Sequence, residues 1–267
     1  MLDYVYAVIL GIVEGLTEFL PVSSTGHLVL AEKLLGVSGP FWDAFEVMIQ
    51  LGAILAVVVV YWSKIWQTVL GLVSEPRSRH FALSLIVALL PALVLGFLFS
   101  KLIKTYLFAP LPIAITLIVG GLIILWVEST HRQEIHHEAD DLPLTTAGLI
   151  GLAQAVAIIP GTSRSGATIM GARLLGLGRR AATEFSFFLA IPTMLAAFAH
   201  EAFDARHVLT SNTIGVVAVG FVVSFVSAYL VIKPFLEFVS TRGFVPFAYY
   251  RIVLGGIIVA FTLAVGA

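Results

Sequence analysis

Two short runs hold most of the polar chemistry of this chain. The first, GIVEGLTEFLPVSSTGH (11–27), sets Glu14 and Glu18 four residues apart in an apolar stretch that stops at Pro21 and opens into Ser23, Ser24, Thr25, Gly26 and His27. On a helix that spacing puts both carboxylates on one face. The second, PGTSRSG (160–166), has Arg164 as its only charge. An ionised group inside an apolar segment is costly and marks a functional site by default. Acids in one run and a guanidinium in the other predict that the two runs meet.

The residue types indicate what such a site does. In 160–166, Gly161, Thr162, Ser163, Ser165 and Gly166 suit tight turns whose N–H groups face one way, a cradle for an anion. A helix predicted to begin near Ala167 adds the partial positive charge of its N-terminus. Arg164 adds a planar fork that matches phosphate oxygens, and Thr168 a hydroxyl one turn further on. In the first run, the hydroxyls of Ser23, Ser24 and Thr25 are weak nucleophiles until a base takes the proton. His27 is the nearest group suited to that at neutral pH. Glu14 and Glu18 have two readings: together they hold a hard divalent cation through oxygen, or one of them is a general base. Two carboxylates beside a phosphate would repel it. A bridging Mg2+ or Ca2+ removes that conflict, which favours the cation.

The elements that carry these runs are membrane helices. Of 267 residues, 59% are hydrophobic and only 12% charged, against about 25% charged in soluble domains; mean hydropathy is +1.03. A spanning helix needs roughly 20 mostly apolar residues, and 44–62, 81–100, 111–127, 184–203, 213–232 and 246–265 meet that need. Pro91 predicts a kink in the second. The net charge of −1 argues against a nucleic-acid partner, and zero cysteines exclude disulfides, thiolate nucleophiles and Cys-ligated metals. The N-terminus is not expected to be a cleaved signal peptide, since it lacks a basic start and its apolar run carries two glutamates.

Helix, break and short helix at 2–36 read as a re-entrant hairpin, tolerated at membrane depth only where buried or lining a wet cavity. The plan recurs at 145–176. Shifted by 140 positions, Gly11 meets Gly151, Glu14 meets Gln154, Ser23 meets Ser163, Gly26 meets Gly166 and Gly36 meets Gly176. The expected fold class is an all-α integral membrane protein with an inverted-topology repeat. Residues 1–127 and 144–267 each form a re-entrant hairpin plus three spans, joined by a polar linker at 128–143. Three crossings per half invert the second half, so the breaks enter from opposite faces and meet near the midplane. Lys33, Lys101, Lys104 and Arg206 fall on the side of the termini. Lys64, Arg77, Arg79, Arg132, Arg173, Arg179, Arg180, Lys233 and Arg242 fall on the other, which should be cytoplasmic. Both termini and the opening of the site are therefore expected outside. Gln154, Glu46, Gln50 and Glu184 are supporting candidates. The run His131, Glu134, His136, His137, Glu138, Asp140 and Asp141 reads as a solvated loop rather than a metal site, because no ligand spacing appears.

EGLTEFLPVSSTGH (14–27) and PGTSRSGAT (160–168), with EFSFFLAIP (184–192) and the span after Pro246, resemble the undecaprenyl-diphosphate phosphatase family, also called the bacitracin-resistance family. The resemblance runs nearly the whole length. It implies a metal-dependent enzyme of the bacterial inner membrane with an outward-facing site. Such an enzyme hydrolyses undecaprenyl diphosphate to undecaprenyl phosphate and inorganic phosphate, recycling the lipid carrier for cell-wall synthesis and giving bacitracin resistance. The family's functional positions carry over onto Glu14, Glu18, Ser24, His27 and Arg164, with Ser23, Thr25, Ser163 and Thr168 in support. The resulting expectation is Ser24 as nucleophile with His27 as its base, and Glu14 and Glu18 on the cation. Arg164, the backbone of 161–166 and the following helix start then meet the transferring phosphoryl group. Direct attack by a metal-activated water is the alternative mechanism. A lipid-carrier flippase or anion transporter is the alternative function, since broken helices and inverted repeats are common in transporters. The partners are the polyprenyl diphosphate and the bilayer, and a homodimer is compatible with the chain.

Overall fold

Helix ends in this protein fall where proline, glycine or a capping serine interrupts an apolar run. The computed structural model describes residues 2–130, 133–205 and 213–265. His131, Arg132 and Arg206, which enter the metal-loop and charge arguments above, lie outside the described residues. The helices are α1 (Leu2–Thr17), α2 (Ser24–Leu35), α3 (Pro40–Val60), α4 (Trp62–Gly71), α5 (Pro76–Leu107), α6 (Pro110–Ser129), α7 (Leu144–Ala155), α8 (Arg164–Leu174), α9 (Arg179–Ala205), α10 (Ile214–Arg242) and α11 (Val245–Val265). A 3-10 turn at Val156–Ile158 extends α7. No strand occurs among the described residues. Six helices are long and apolar enough to cross a membrane: α3, α5, α6, α9, α10 and α11. The chain is an all-α integral membrane protein.

Helices that contact one another in lipid do so through small residues, because tails offer no hydrophobic drive. α1 lies on α10, α10 on α3, α5 on α7, and α6 on α11. A Cβ at Gly15 of α1 would run into the carbonyl of Ser224 on α10, and one at Gly151 of α7 into the carbonyl of Ala88 on α5. Side chains over both break-containing segments form the largest apolar core. There Phe19 meets Phe187 edge-on at 5.4 Å, and Phe81 meets Phe188 at 5.2 Å.

The same device caps the helices after both breaks. Ser23 and Ser163 are the N-caps of α2 and α8, each accepting from an N–H three residues on (Gly26 at 3.3 Å, Gly166 at 3.0 Å). They are also the only non-glycine residues with positive φ among those described, at 72° and 75°. Backbone there is strained for any residue with a Cβ and persists only where its surroundings over-determine it.

Local patterning misplaces some boundaries. α8 begins at Arg164, not near Ala167, because Ser163 caps it. The segment after the first span, which carries Lys64, forms a further helix, α4. Trp62 and Trp66 of α4 stack at 5.8 Å and stay exposed. α10 runs ten residues past its expected end, through Pro234 to the Gly243 cap. A proline removes one backbone bond, and the rest of a long packed helix holds the turn. The linker is tied down rather than free. Asp140 accepts from Lys64 (2.8 Å) and Arg77 (2.9 Å), Glu134 pairs with Arg173 (2.7 Å), and Glu128 pairs with Arg179 (2.7 Å).

Candidate active site

The two breaks meet. Glu18, just past the end of α1 and 5% exposed, bonds both to its own break and to the other one. Its Oε2 accepts from the Ser24 hydroxyl at 2.6 Å, and its Oε1 accepts from Arg164 Nη2 at 3.0 Å. The second arm of the guanidinium, Nη1, donates to the carbonyl and hydroxyl of Ser186 on α9 (2.9 and 3.1 Å). Phe19 lies beneath it, 6.0 Å from ring centroid to guanidinium carbon. Arg164 is thereby aimed by three groups, and its Nε is buried without a hydrogen-bond partner among the described residues.

A cavity of about 670 Å³ opens on this pair. Its polar wall holds Glu18, Ser23, Ser24, Thr25, Gly161, Ser163 and Arg164, joined by Gln50 and Gln154. Its apolar wall comes from α5 around Leu93–Phe97 and from α9 around Thr193–Ala197. α2 and α8 both start at this wall, so two helix N-termini and one arginine face a space large enough for an anionic head. Gln154, the residue aligned with Glu14 by the 140-position shift, donates to Thr193 at 3.3 Å.

The remaining residues expected in the site lie behind the wall. Thr162, Ser165, Gly166 and Thr168 do not line the cavity. Ser165 donates to the Leu20 carbonyl (2.8 Å), stitching one break to the other, and Thr168 bonds back to the Arg164 carbonyl (2.8 Å). Glu184 pairs with Arg180 and stands apart. Glu14 is fully buried one turn behind Glu18. Its charged neighbours are Glu18, Glu46 and Arg164, and neither of its oxygens has a hydrogen-bond partner among the described residues. His27 also sits elsewhere than expected. Its Nδ1 lies 2.7 Å from the Ser23 carbonyl and its Nε2 2.6 Å from the Tyr250 hydroxyl. The expected Ser24–His27 pair is therefore not formed, because the helical rise of α2 turns His27 back onto its own N-cap. The carboxylate of Glu18 takes that place at Ser24.

One buried charge was absent from the sequence expectations altogether. Arg251 of α11 is 1% exposed and spends its five N–H groups on five carbonyls. Pro21 lies in the first break (3.1 Å), Gly161 and Thr162 in the second (3.0 and 2.9 Å), and Thr116 and Leu117 in α6 (3.2 and 3.3 Å). The signal was present: an arginine six residues into an apolar span is as costly as a buried glutamate.

Residues 7–257 match the family described as bacitracin resistance protein BacA. This chain belongs to that family. The similar proteins include an undecaprenyl-diphosphatase of Rhodopseudomonas palustris (strain BisA53) and one of Nitrobacter winogradskyi. Each is 52% identical over 254 residues and covers 95% of both chains. Another from Bradyrhizobium diazoefficiens is 52% identical over 257 residues, covering 96% of both. BacA membership thus spans the two breaks, the cavity and Arg251 alike.

Proposed function

We infer that this BacA-family protein is an undecaprenyl-diphosphate phosphatase, a membrane hydrolase that releases inorganic phosphate and returns undecaprenyl phosphate to the carrier pool for cell-wall synthesis. Regenerating the carrier lipid accounts for bacitracin resistance. The observation that carries the mechanism is the Glu18 carboxylate, bonded at once to the Ser24 hydroxyl and to Arg164 on a cavity wall. The diphosphate lies against Arg164 and the starts of α2 and α8, while the prenyl tail leaves along the apolar wall between α5 and α9.

Ser24 Oγ attacks the terminal phosphorus as Glu18 Oε2 takes its proton. The Oγ–P bond forms, the bond from phosphorus to the bridging oxygen breaks, and undecaprenyl phosphate departs with that oxygen. Water then attacks the phosphoserine. Glu18, having passed the serine proton to the departing undecaprenyl phosphate, takes one proton from this water and hands it to Ser24 Oγ as the Oγ–P bond breaks, so phosphate leaves with the other. Arg164 and the helix starts stabilise charge on the equatorial oxygens throughout.

The residues present fit a divalent cation in part. Both Glu14 oxygens are buried without a hydrogen-bond partner among the described residues, as a cation ligand's would be. Yet no group of three or more His, Cys, Asp or Glu converges among the described residues. Glu14 and Glu18 would supply two carboxylate ligands, with phosphate oxygens and water completing the shell, the habit of Mg2+. Bound there, the cation would neutralise the diphosphate that two carboxylates otherwise repel.

The breaks enter from opposite faces in an inverted repeat, with both termini and the site opening outside the cytoplasm. The clustering of Lys64, Arg77, Arg173 and Arg179 around the linker supports that orientation. Every group used here comes from one chain, so a homodimer partner adds none. The flippase and anion-transporter readings are not favoured, since the relatives are undecaprenyl-diphosphatases. Phosphate release by purified protein in detergent, with Ser24→Ala alongside, tests the proposal. A phosphoserine trapped on Ser24 is expected; full turnover by Ser24→Ala refutes serine attack, and no phosphate release at all refutes the hydrolase.

A further inference from the structure

Two consecutive residues of α11 grip the breaks. Arg251 holds the Pro21, Gly161 and Thr162 carbonyls. The residue before it, Tyr250, places its hydroxyl 2.6 Å from His27 Nε2, with the two rings parallel within 2° and 5.5 Å apart. His27 Nδ1 in turn lies 2.7 Å from the Ser23 carbonyl. A carbonyl only accepts, so Nδ1 carries a proton, and in neutral imidazole Nε2 then accepts from the tyrosine. The chain of bonds therefore has one direction: tyrosine O–H to imidazole, imidazole N–H to the Ser23 carbonyl.

Ser23 is the strained residue, at φ 72°, and its carbonyl belongs to the peptide that enters Ser24. Its counterpart Ser163 has the same positive φ but is held differently, by Ser165 Oγ at 3.0 Å and by Arg251 on the preceding carbonyl. At the first break, Arg251 reaches only Pro21, two residues short of the strain. The peptide between Ser23 and Ser24 is left to the α2 backbone, where His27 N–H lies 3.3 Å from the Ser23 carbonyl, and to the shorter imidazole bond. A strained backbone needs its surroundings to over-determine it.

We propose that Tyr250 is a positioning residue for the reaction, acting through His27 and the Ser23 carbonyl to hold the strained turn that aims the Ser24 hydroxyl at phosphorus. The inference rests on the reading of Ser24 as the attacking group. His27 in this arrangement anchors the backbone and takes no proton from Ser24. Tyr250 is exposed on a membrane-crossing helix, where an unpartnered hydroxyl is disfavoured.

The test is steady-state phosphate release by the purified full chain in detergent, with kcat and KM determined separately. Tyr250→Phe removes one oxygen and keeps the ring stack; kcat should fall about three- to tenfold, the effect of one hydrogen bond, with KM and the thermal midpoint unchanged. His27→Asn keeps an N–H where Nδ1 stands but cannot reach Tyr250. It should match Tyr250→Phe, the double variant should lose no more than either, and His27→Ala should be clearly worse. The exposed neighbour Tyr249 gives the control, Tyr249→Phe, expected to behave as wild type. Wild-type kcat in Tyr250→Phe, or His27→Asn as inactive as His27→Ala, overturns the positioning role. The second result returns His27 to acid–base work. If Tyr250→Phe fails to fold, the two His27 variants decide the matter alone. Ser24→Ala, run in parallel, separates the failures: turnover there removes both serine attack and this inference, whereas an inactive Ser24→Ala with wild-type Tyr250→Phe removes only the inference.

Discussion

Replacing Glu18 by glutamine changes one atom type at the junction of the two breaks. The Glu18→Gln side chain keeps an oxygen able to accept from Arg164 Nη2 at the observed 3.0 Å, and Arg164 keeps both bonds to Ser186. Removing one partner of a buried ion pair outright costs about 3–5 kcal/mol of stability. The amide dipole left in place should hold the loss nearer the ~1.5–3 kcal/mol of a single charged hydrogen bond. The effect on chemistry is larger. The atom 2.6 Å from Ser24 Oγ becomes an NH2 group, which donates to the hydroxyl and cannot take its proton. Loss of a positioned general base costs about 10²- to 10⁴-fold, roughly 3–5 kcal/mol on the barrier. Phosphate release from undecaprenyl diphosphate measures kcat, and thermal unfolding in the same detergent measures stability. The expected result is kcat at about 1% of wild type or lower in a protein that remains folded. A folded Glu18→Gln that keeps kcat within about tenfold of wild type refutes the assignment of Glu18 as base, because among the described residues no other charged acceptor bonds Ser24.

Arg164→Lys should lose most activity despite keeping the charge, since one ammonium cannot serve Glu18 and Ser186 with the planar fork that now spans them; kcat near wild type would count against bidentate charge stabilisation. Added Mg2+ or Ca2+ should raise the thermal midpoint of the wild-type protein and not that of Glu14→Gln, a readout independent of turnover; an equal rise in both removes Glu14 from the cation site. Burial pushes the Asp140 carboxyl up, but its bonds to Lys64 and Arg77 outweigh this and hold it below the usual aspartate range. Its stabilisation is therefore complete above about pH 4 and is lost as pH falls through the lowered value. Asp140→Asn should remove that part of the acid sensitivity of the linker, read as flatter hydrogen exchange around residues 133–143 between neutral and acid pH.

Much of this site is local and was legible in the chain. Hydropathy and length give six spans, and the prolines and glycines at 21–26 and 160–166 give the breaks. The cost of a charge in an apolar run singles out Glu14, Glu18 and Arg164. The capping serines are local too, since each bonds an N–H three residues away. What a spacing rule reports is the face a residue shares with its own helix, not what another helix brings to that face. That is why His27, near Ser24 in sequence, was expected to be its base, whereas α2 turns it onto Tyr250 from 223 residues away. It is also why Arg251, whose partners are all backbone carbonyls, gave no pattern of opposite charge to find. The existence of two breaks, their polarity and their hydroxyls belonged to the sequence. That Arg164 meets Glu18, and that α11 reaches into both breaks, was settled only when segments more than a hundred residues apart packed together, because buried polar groups take the partners that packing brings within reach.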